Sequence, residues 1–65
     1  MKIKVGMLVM KRWGRIEPEE QGRLGLVVEV VPGNAWTYIS VSYPFGVRTY
    51  RTSELEIMSD VRGAG

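Results

Sequence analysis

The stretch TYISVS, residues 37 to 42, constrains the fold more than any other part of the sequence. Side chains alternate between the two faces of an extended chain, so Thr37, Ile39 and Val41 share one face. Trp36 and Tyr38 fall on the opposite face, together with two serines. Similar two-residue periods recur along the chain, whereas the helical period of about 3.6 residues does not. The pattern predicts an all-β fold.

The predicted strands are separated by segments rich in glycine and proline. PGN at 32 to 34 fits a type II turn, because proline presets φ and Gly33 accepts a positive φ. YPFG at 43 to 46 fits a tight turn with Pro44 second and Gly46 fourth. A loop covers residues 14–22, and residues 52–54 fit a single 3₁₀ turn. The five predicted strands are 7–13, 24–31, 36–42, 47–51 and 55–58.

Five short strands, one long loop and a 3₁₀ turn before the last strand are typical of a small SH3-like barrel. Closure of the sheet suits a chain of 65 residues, because it removes exposed strand edges. A chain this short buries only about 60% of its unfolded surface, which favours a single domain. We expect the barrel to cover residues 1–58 and a flexible tail to cover residues 59–65. Leu55 and Ile57 of the last strand should point inward.

Residues 22–30, GRLGLVVEV, combine two glycines with an apolar run that one acid interrupts. A phosphate-binding loop would need a strand before it, and a helix with a lysine after it; the pattern offers none of these. We therefore interpret Gly22 as the end of the long loop and Gly25 as a point where the strand bends.

Apolar residues occupy both parities of the first two strands. The pattern therefore does not show which parity of each strand faces the core. A bulge at residues 27–28 would reconcile the two parities in the second strand. Glu29 then marks the solvent side, with Val28 and Val30 pointing toward the core.

The chain contains neither cysteine nor histidine. This composition excludes disulfides, thiolate zinc sites, cysteine nucleophiles and imidazole bases. Glu17, Glu19 and Glu20 lie close together on a loop with a proline, where we expect solvated carboxylates. We predict no catalytic residue, no cofactor, no metal site and no small-molecule substrate.

Val5-Gly6, followed by Leu8-Val9 and then GRLGLVVEV, resembles the KOW motif of SH3-like domains in ribosomal proteins and transcription elongation factors. The closing SELEIM, residues 53–58, is similar to the end of many small SH3-like modules, including unassigned ones encoded by phages. Arg23 keeps the basic character beside the first glycine of the motif. Met7 and Leu26 differ from the polar and basic residues usual at their positions. The resemblance implies an SH3-like barrel first and nucleic-acid binding second.

The apolar runs of the chain are far shorter than the roughly 18 residues that cross a bilayer. The lysines near the start are not followed by the apolar stretch of a secretory signal. We expect a soluble cytoplasmic protein without a membrane partner, found in the host cytoplasm or the virion if a phage encodes it.

Basic and aromatic side chains are interleaved in KRWGR at 11–15 and RTYR at 48–51. Strands three and four should be hairpin partners, so we expect Trp36 and Tyr38 to lie beside Arg48 and Tyr50 on one outer face. The candidate binding residues are Lys11, Arg12, Trp13, Arg15, Arg23, Trp36, Tyr38, Arg48, Tyr50 and Arg51.

Two functions fit this surface. The leading hypothesis is a non-enzymatic interaction module, a small accessory or structural protein that docks to a protein partner or self-associates, because Trp, Tyr and Arg are enriched in interfaces. So short a chain also has little core of its own.

The alternative is a KOW-like binder of RNA or DNA that stacks bases on Trp13, Trp36 or Tyr38. The net charge of +2 neither requires nor excludes a polyanion. A third interpretation is that the aromatic residues only cover the barrel, with arginine stems stacked on them. Phosphate contacts would come from Lys11, Arg12, Arg15, Arg23, Arg48 and Arg51.

Overall fold

The structure, a computed structural model, describes residues 2–60 and is all-β. The elements in chain order are β1 (Met7–Lys11), β2 (Leu24–Pro32), β3 (Thr37–Tyr43), β4 (Gly46–Arg51), a 3₁₀ turn (Thr52–Glu54) and β5 (Leu55–Asp60). The predicted number of strands and the 3₁₀ turn before the last strand are confirmed. β5 includes Ser59 and Asp60, which the sequence pattern assigned to the tail. The remaining residues of the predicted tail, 61–65, lie outside the described residues.

All strand pairs are antiparallel, and the hydrogen-bonded order is β4-β3-β2-β1-β5. The central strand β2 pairs with β1 through its first residues, with Leu26 opposite Leu8, and with β3 as far as Pro32. β4 and β5 lie at the two ends of this order, and the 3₁₀ turn joins them directly. The pairing establishes a five-stranded antiparallel sheet, and its closure into an SH3-like barrel stays a prediction.

A bulge divides β2. Val27 is fully buried, whereas Val28 is 42% exposed. The register with β3 shifts between Val27 and Glu29, so Val28 is the extra residue. The predicted bulge is confirmed, as are an exposed Glu29 and a Val30 packed against the core. The predicted inward direction of Val28 is wrong, because the extra residue interrupts the alternation and leaves Val27 and Val30 on the core side.

The core lies on one face of the sheet. The alternation predicted for β3 is confirmed, because Ile39 and Val41 are fully buried while Tyr38 is 40% exposed. Leu55 is buried and Ile57 packs against the core, as expected. The buried core residues are Ile3, Met7, Val9, Val27, Ile39, Val41, Tyr43, Tyr50 and Leu55.

Gly25 lies on the core face of β2, opposite Val9 of β1. A Cβ at this position would stand 2.8 Å from Cε1 of Tyr43 and would also collide with the side chain of Val41. The glycine is therefore required for the close packing of β3 side chains over β2, rather than for a bend alone.

The two hairpin turns differ from each other. Tyr43 pairs with Gly46 around Pro44 and Phe45, which confirms the predicted YPFG turn. The predicted type II turn at Gly33 is wrong, because the φ of this residue does not lie in the left-handed region. Its N–H instead donates to the Trp36 carbonyl at 2.8 Å, and a Cβ would stand 2.7 Å from that oxygen.

β1 ends at Lys11, two residues before the predicted end of the strand. The N–H groups of Arg12 and Trp13 both donate to the carbonyl of Glu54, at 3.0 and 3.3 Å. The chain therefore leaves the sheet over the 3₁₀ turn, and Trp13 starts the long loop.

Candidate functional site

An exposed cluster of two aromatic rings and one arginine lies on the outer face of β3 and β4. Tyr38 is directly opposite Arg51 in the ladder, and Val31 of β2 is opposite Tyr38 on its other side. The Arg51 guanidinium carbon lies 4.1 Å from the ring centroid of Trp36, which is 48% exposed. We call Val31, Trp36, Tyr38 and Arg51 the aromatic–arginine surface.

Two local features position this surface. The hydrogen bond from Gly33 to the Trp36 carbonyl closes the β2–β3 connection and fixes the backbone of Trp36. At the far end of β4, the N–H of Arg51 donates to the Glu54 carboxylate at 2.8 Å. Trp36 and Arg51 therefore extend from backbone that local hydrogen bonds fix in place. A partner that binds these side chains loses less conformational entropy in ordering them.

The predicted grouping of Arg48 and Tyr50 with Trp36 and Tyr38 is wrong. Tyr50 pairs with Ile39 and is buried, and Arg48 pairs with Val41. Both belong to the parity of β4 that faces the core side. The sequence RTYR places Arg48 and Tyr50 on one face and Arg51 on the other, and only the register shows which face is outward.

Arg48 and Tyr50 instead hold the long loop. The Tyr50 hydroxyl donates a hydrogen bond to the carboxylate of Glu20, and Arg48 reaches the same carboxylate at 3.3 Å. Arg48 also forms an ion pair with Glu19 at 2.9 Å. The expectation of solvated loop carboxylates is therefore wrong for Glu20, which is 3% exposed.

The electrostatics of Glu20 follow from this burial. Desolvation raises the pKa of Glu20, but the hydrogen bonds from the Tyr50 hydroxyl and the Glu17 backbone, with Lys11 and Arg48 nearby, hold the pKa below its ordinary value. Burial and the bond to Glu20 raise the pKa of Tyr50. The pair therefore consists of an ionised carboxylate and a protonated phenol at neutral pH, which is a structural arrangement.

Lys11 is also withdrawn from the surface. It is 4% exposed, and its Nζ lies 3.3 Å from the Glu54 carboxylate and donates to the carbonyl of Arg15. The same Nζ stands 5.1 Å from the Tyr50 ring centroid. Lys11 therefore stabilises the junction of β1, the loop and the 3₁₀ turn and cannot reach a phosphate.

Two of the remaining predicted cations are paired at the surface. Arg12 pairs with Glu56 at 2.9 Å, and Arg15 pairs with Glu17 at 3.0 Å. Within residues 2–60, Arg23 and Arg51 form no ion pair. The six candidate phosphate contacts thus reduce to two arginines without a carboxylate partner.

Trp13 is 55% exposed and does not join the aromatic–arginine surface. It borders a separate shallow groove of about 450 Å³ with Ile16 and Gln21 of the long loop. The structure therefore divides the predicted site residues among an outer cluster, a buried loop anchor and isolated surface positions.

Sequence reasoning missed the roles of Val31 and of the acids Glu19 and Glu20. The bulge in β2 sets Val31 on the outer face, opposite Tyr38. The alternation of apolar residues does not reveal which residue of β2 is the extra one. Glu20 meets Tyr50 across 30 positions of sequence, and no short motif signals such a contact.

Comparisons with protein-family models, with curated proteins and with solved structures find no match. Within residues 2–60, no group of three or more potential metal-binding side chains is found. The described part of the chain contains no helix long and apolar enough to cross a membrane.

Proposed function

We propose that the protein is a non-enzymatic interaction module that docks to a protein partner through the aromatic–arginine surface. The observation that carries this proposal is the stacking of Arg51 on the exposed Trp36 ring beside Tyr38. Tryptophan, tyrosine and arginine are the residue types that most often dominate the energy of protein interfaces.

The stacked geometry suits such a role. A guanidinium already stacked on an indole has lost part of its rotamer freedom, so a partner gains more of the contact energy. Val31 of the neighbouring strand β2 is exposed and adds apolar surface beside Tyr38. Removing an aromatic anchor of this type typically weakens an interface by at least about 2 kcal/mol, or roughly 30-fold in Kd.

The pairing of the cations argues against a polyanionic ligand. Lys11, Arg12, Arg15 and Arg48 are each neutralised by a carboxylate. A nucleic acid would have to displace these acids to gain counterion release. If Arg23 and Arg51 alone among the candidate residues contacted phosphates, the salt dependence of log K would have a slope of about −1.4 to −1.8.

The second candidate is the KOW-like binding of single-stranded RNA or DNA, and Arg51 favours it because, among the described side chains, it pairs with no carboxylate. Trp36 and Tyr38 would then stack bases, which is worth roughly 1–3 kcal/mol per base. Labelled single- and double-stranded oligonucleotides titrated at two salt concentrations test this candidate. The absence of binding at low salt would remove it.

The leading proposal is tested by quantitative capture from cells of origin with immobilised wild-type protein and with the double variant W36A/Y38A. The matched control is S40A/T49A, which changes two residues of the same outer face. We expect the wild type and the control to capture one and the same protein. W36A/Y38A should capture at least tenfold less of that protein. Equal capture by all three proteins would contradict the proposal.

A further inference from the structure

The outer face of the sheet carries a second surface, made only of apolar side chains. Leu8 and Met10 of β1 lie opposite Leu26 and Leu24 of β2. Ser42 of β3 is opposite Leu26 on its other side. Val47 of β4 is opposite Ser42. We call Leu8, Met10, Leu24, Leu26 and Val47 the apolar patch.

The register shows that the patch faces outward, with Ser42 of β3 between Leu26 and Val47. The residues that alternate with it, such as Val9, Gly25 and Val27, are buried on the core face. Leu24 is 47% exposed and Val47 is 61% exposed. The row from β1 to β4 therefore contains apolar side chains and one serine, without a charged side chain.

The size of the patch is sufficient for an interface. Together with the exposed bulge residues Val28 and Met58, it presents on the order of 500 Å² of apolar surface, at the upper end of what monomers expose. Ser42, between Leu26 and Val47, and Ser59, opposite Leu8, extend it toward the roughly 800 Å² that each partner of a standard interface buries. An interface of roughly 800 Å² would cover about a fifth of the total surface of 4440 Å².

We propose that a second copy of this chain covers the apolar patch in a two-fold symmetric dimer. Side chains near a two-fold axis meet their own copies, so a self-complementary surface must lack unpaired charge. At the rim, Glu56 of β5 lies opposite Met10 and is paired with Arg12 at 2.9 Å. This rim pair therefore adds no net charge to a symmetric contact, whereas a charged partner finds no complementary group on the patch.

This inference does not rest on the docking function proposed above. A polar row formed by Glu29, Ser40 and Thr49 separates the apolar patch from Tyr38 and Arg51. A dimer formed through the patch thus leaves two aromatic–arginine surfaces free. A partner with two matching epitopes would gain avidity from such a bivalent arrangement.

Sedimentation velocity over a hundredfold range of concentration tests the dimer on the full chain. We expect the wild type to shift from monomer to dimer, with little effect of salt because the contact is apolar. Leu26→Glu should raise the dimer dissociation constant at least tenfold, and so should Val47→Glu. Leu26 lies in the central strand, so its substitution tests the sheet face rather than an edge.

Ser40→Glu is the matched control, because it adds the same charge to the same outer face beyond the patch. Near-UV circular dichroism tests whether each variant keeps the wild-type fold. A wild type that stays monomeric would overturn the inference, and so would a dimer that tolerates both patch substitutions. The inference would also be overturned by a monomer in which removal of residues 61–65 changes the NMR signals of the Leu26 methyl groups. That result would mean that this segment covers the patch.

Discussion

The burial of Glu20 against Tyr50 predicts that one loop carboxylate holds a large share of the stability. Glu20→Ala removes the charged acceptor of the Tyr50 hydroxyl and leaves that buried donor with only the Tyr43 hydroxyl nearby among the described side chains. Hydrogen bonds to charged groups contribute about 1.5–3 kcal/mol each, and an unsatisfied buried donor adds a penalty of about 1–3 kcal/mol. We expect a loss of about 3 kcal/mol from a total that the chain length limits to roughly 3–10 kcal/mol.

Urea unfolding followed by tryptophan fluorescence measures this loss. Glu19→Ala is the control, because its carboxylate pairs with the same Arg48 but is exposed, and we expect it to destabilise the fold far less than Glu20→Ala does. Equal losses for the two variants, or a loss below about 1 kcal/mol for Glu20→Ala, would refute the assignment of Glu20 as the loop anchor.

The pH dependence supplies an independent readout of the same contact. The pKa of Glu20 is lower in the folded protein than its ordinary value of 4.5, so the unfolded chain binds the proton more readily. The stability that Glu20 contributes is therefore fully present above about pH 4.5 and is lost as the pH falls through the folded pKa. In Glu20→Gln this part of the acid destabilisation should be absent. An unchanged acid profile would contradict the linkage.

Three further outcomes follow from the packing. Gly25→Ala should destabilise the fold by about 1–3 kcal/mol in urea unfolding, because its Cβ would collide with Tyr43, and a neutral result would contradict the close approach. Tyr43→Phe should be neutral or stabilising in the same assay, because the buried Tyr43 hydroxyl makes no hydrogen bond of normal geometry with the described residues. Arg51→Ala should cost only about 0.5–1 kcal/mol of stability, since the stacking on Trp36 is exposed, and a larger loss would indicate a structural rather than a binding role.

Local chemistry made much of the fold predictable. The alternation in β3 is uninterrupted, so its inward and outward residues follow directly from the sequence. The YPFG turn and the 3₁₀ turn are likewise encoded by residues that restrict the backbone where they stand. The parity of β2 was not predictable in the same way, because Val27 and Val28 are equally apolar and only packing decides which is buried.

The candidate site was predictable only in part for a related reason. Tyr38 was placed correctly on the outer face because it belongs to the clean alternation of β3, and Trp36, just before that strand, reaches the same face by stacking with Arg51. RTYR offers arginines of both parities and no apolar alternation to choose between them, so Arg48 was predicted beside Trp36 and Tyr38, where the structure places Arg51. The anchoring of Glu20 depends on a contact between distant segments, which single-sequence periodicity does not contain.

The most direct test of the docking role is site-specific photo-crosslinking in cells of origin. A photoreactive amino acid replaces Tyr38 in the aromatic–arginine surface or, as the control, Thr49 in the polar row of the same face. We predict a discrete adduct from position 38 that resists nuclease, is destroyed by protease and disappears when Arg51→Ala is added. Equal labelling from both positions, or an adduct that nuclease removes, would contradict docking to a protein through this surface.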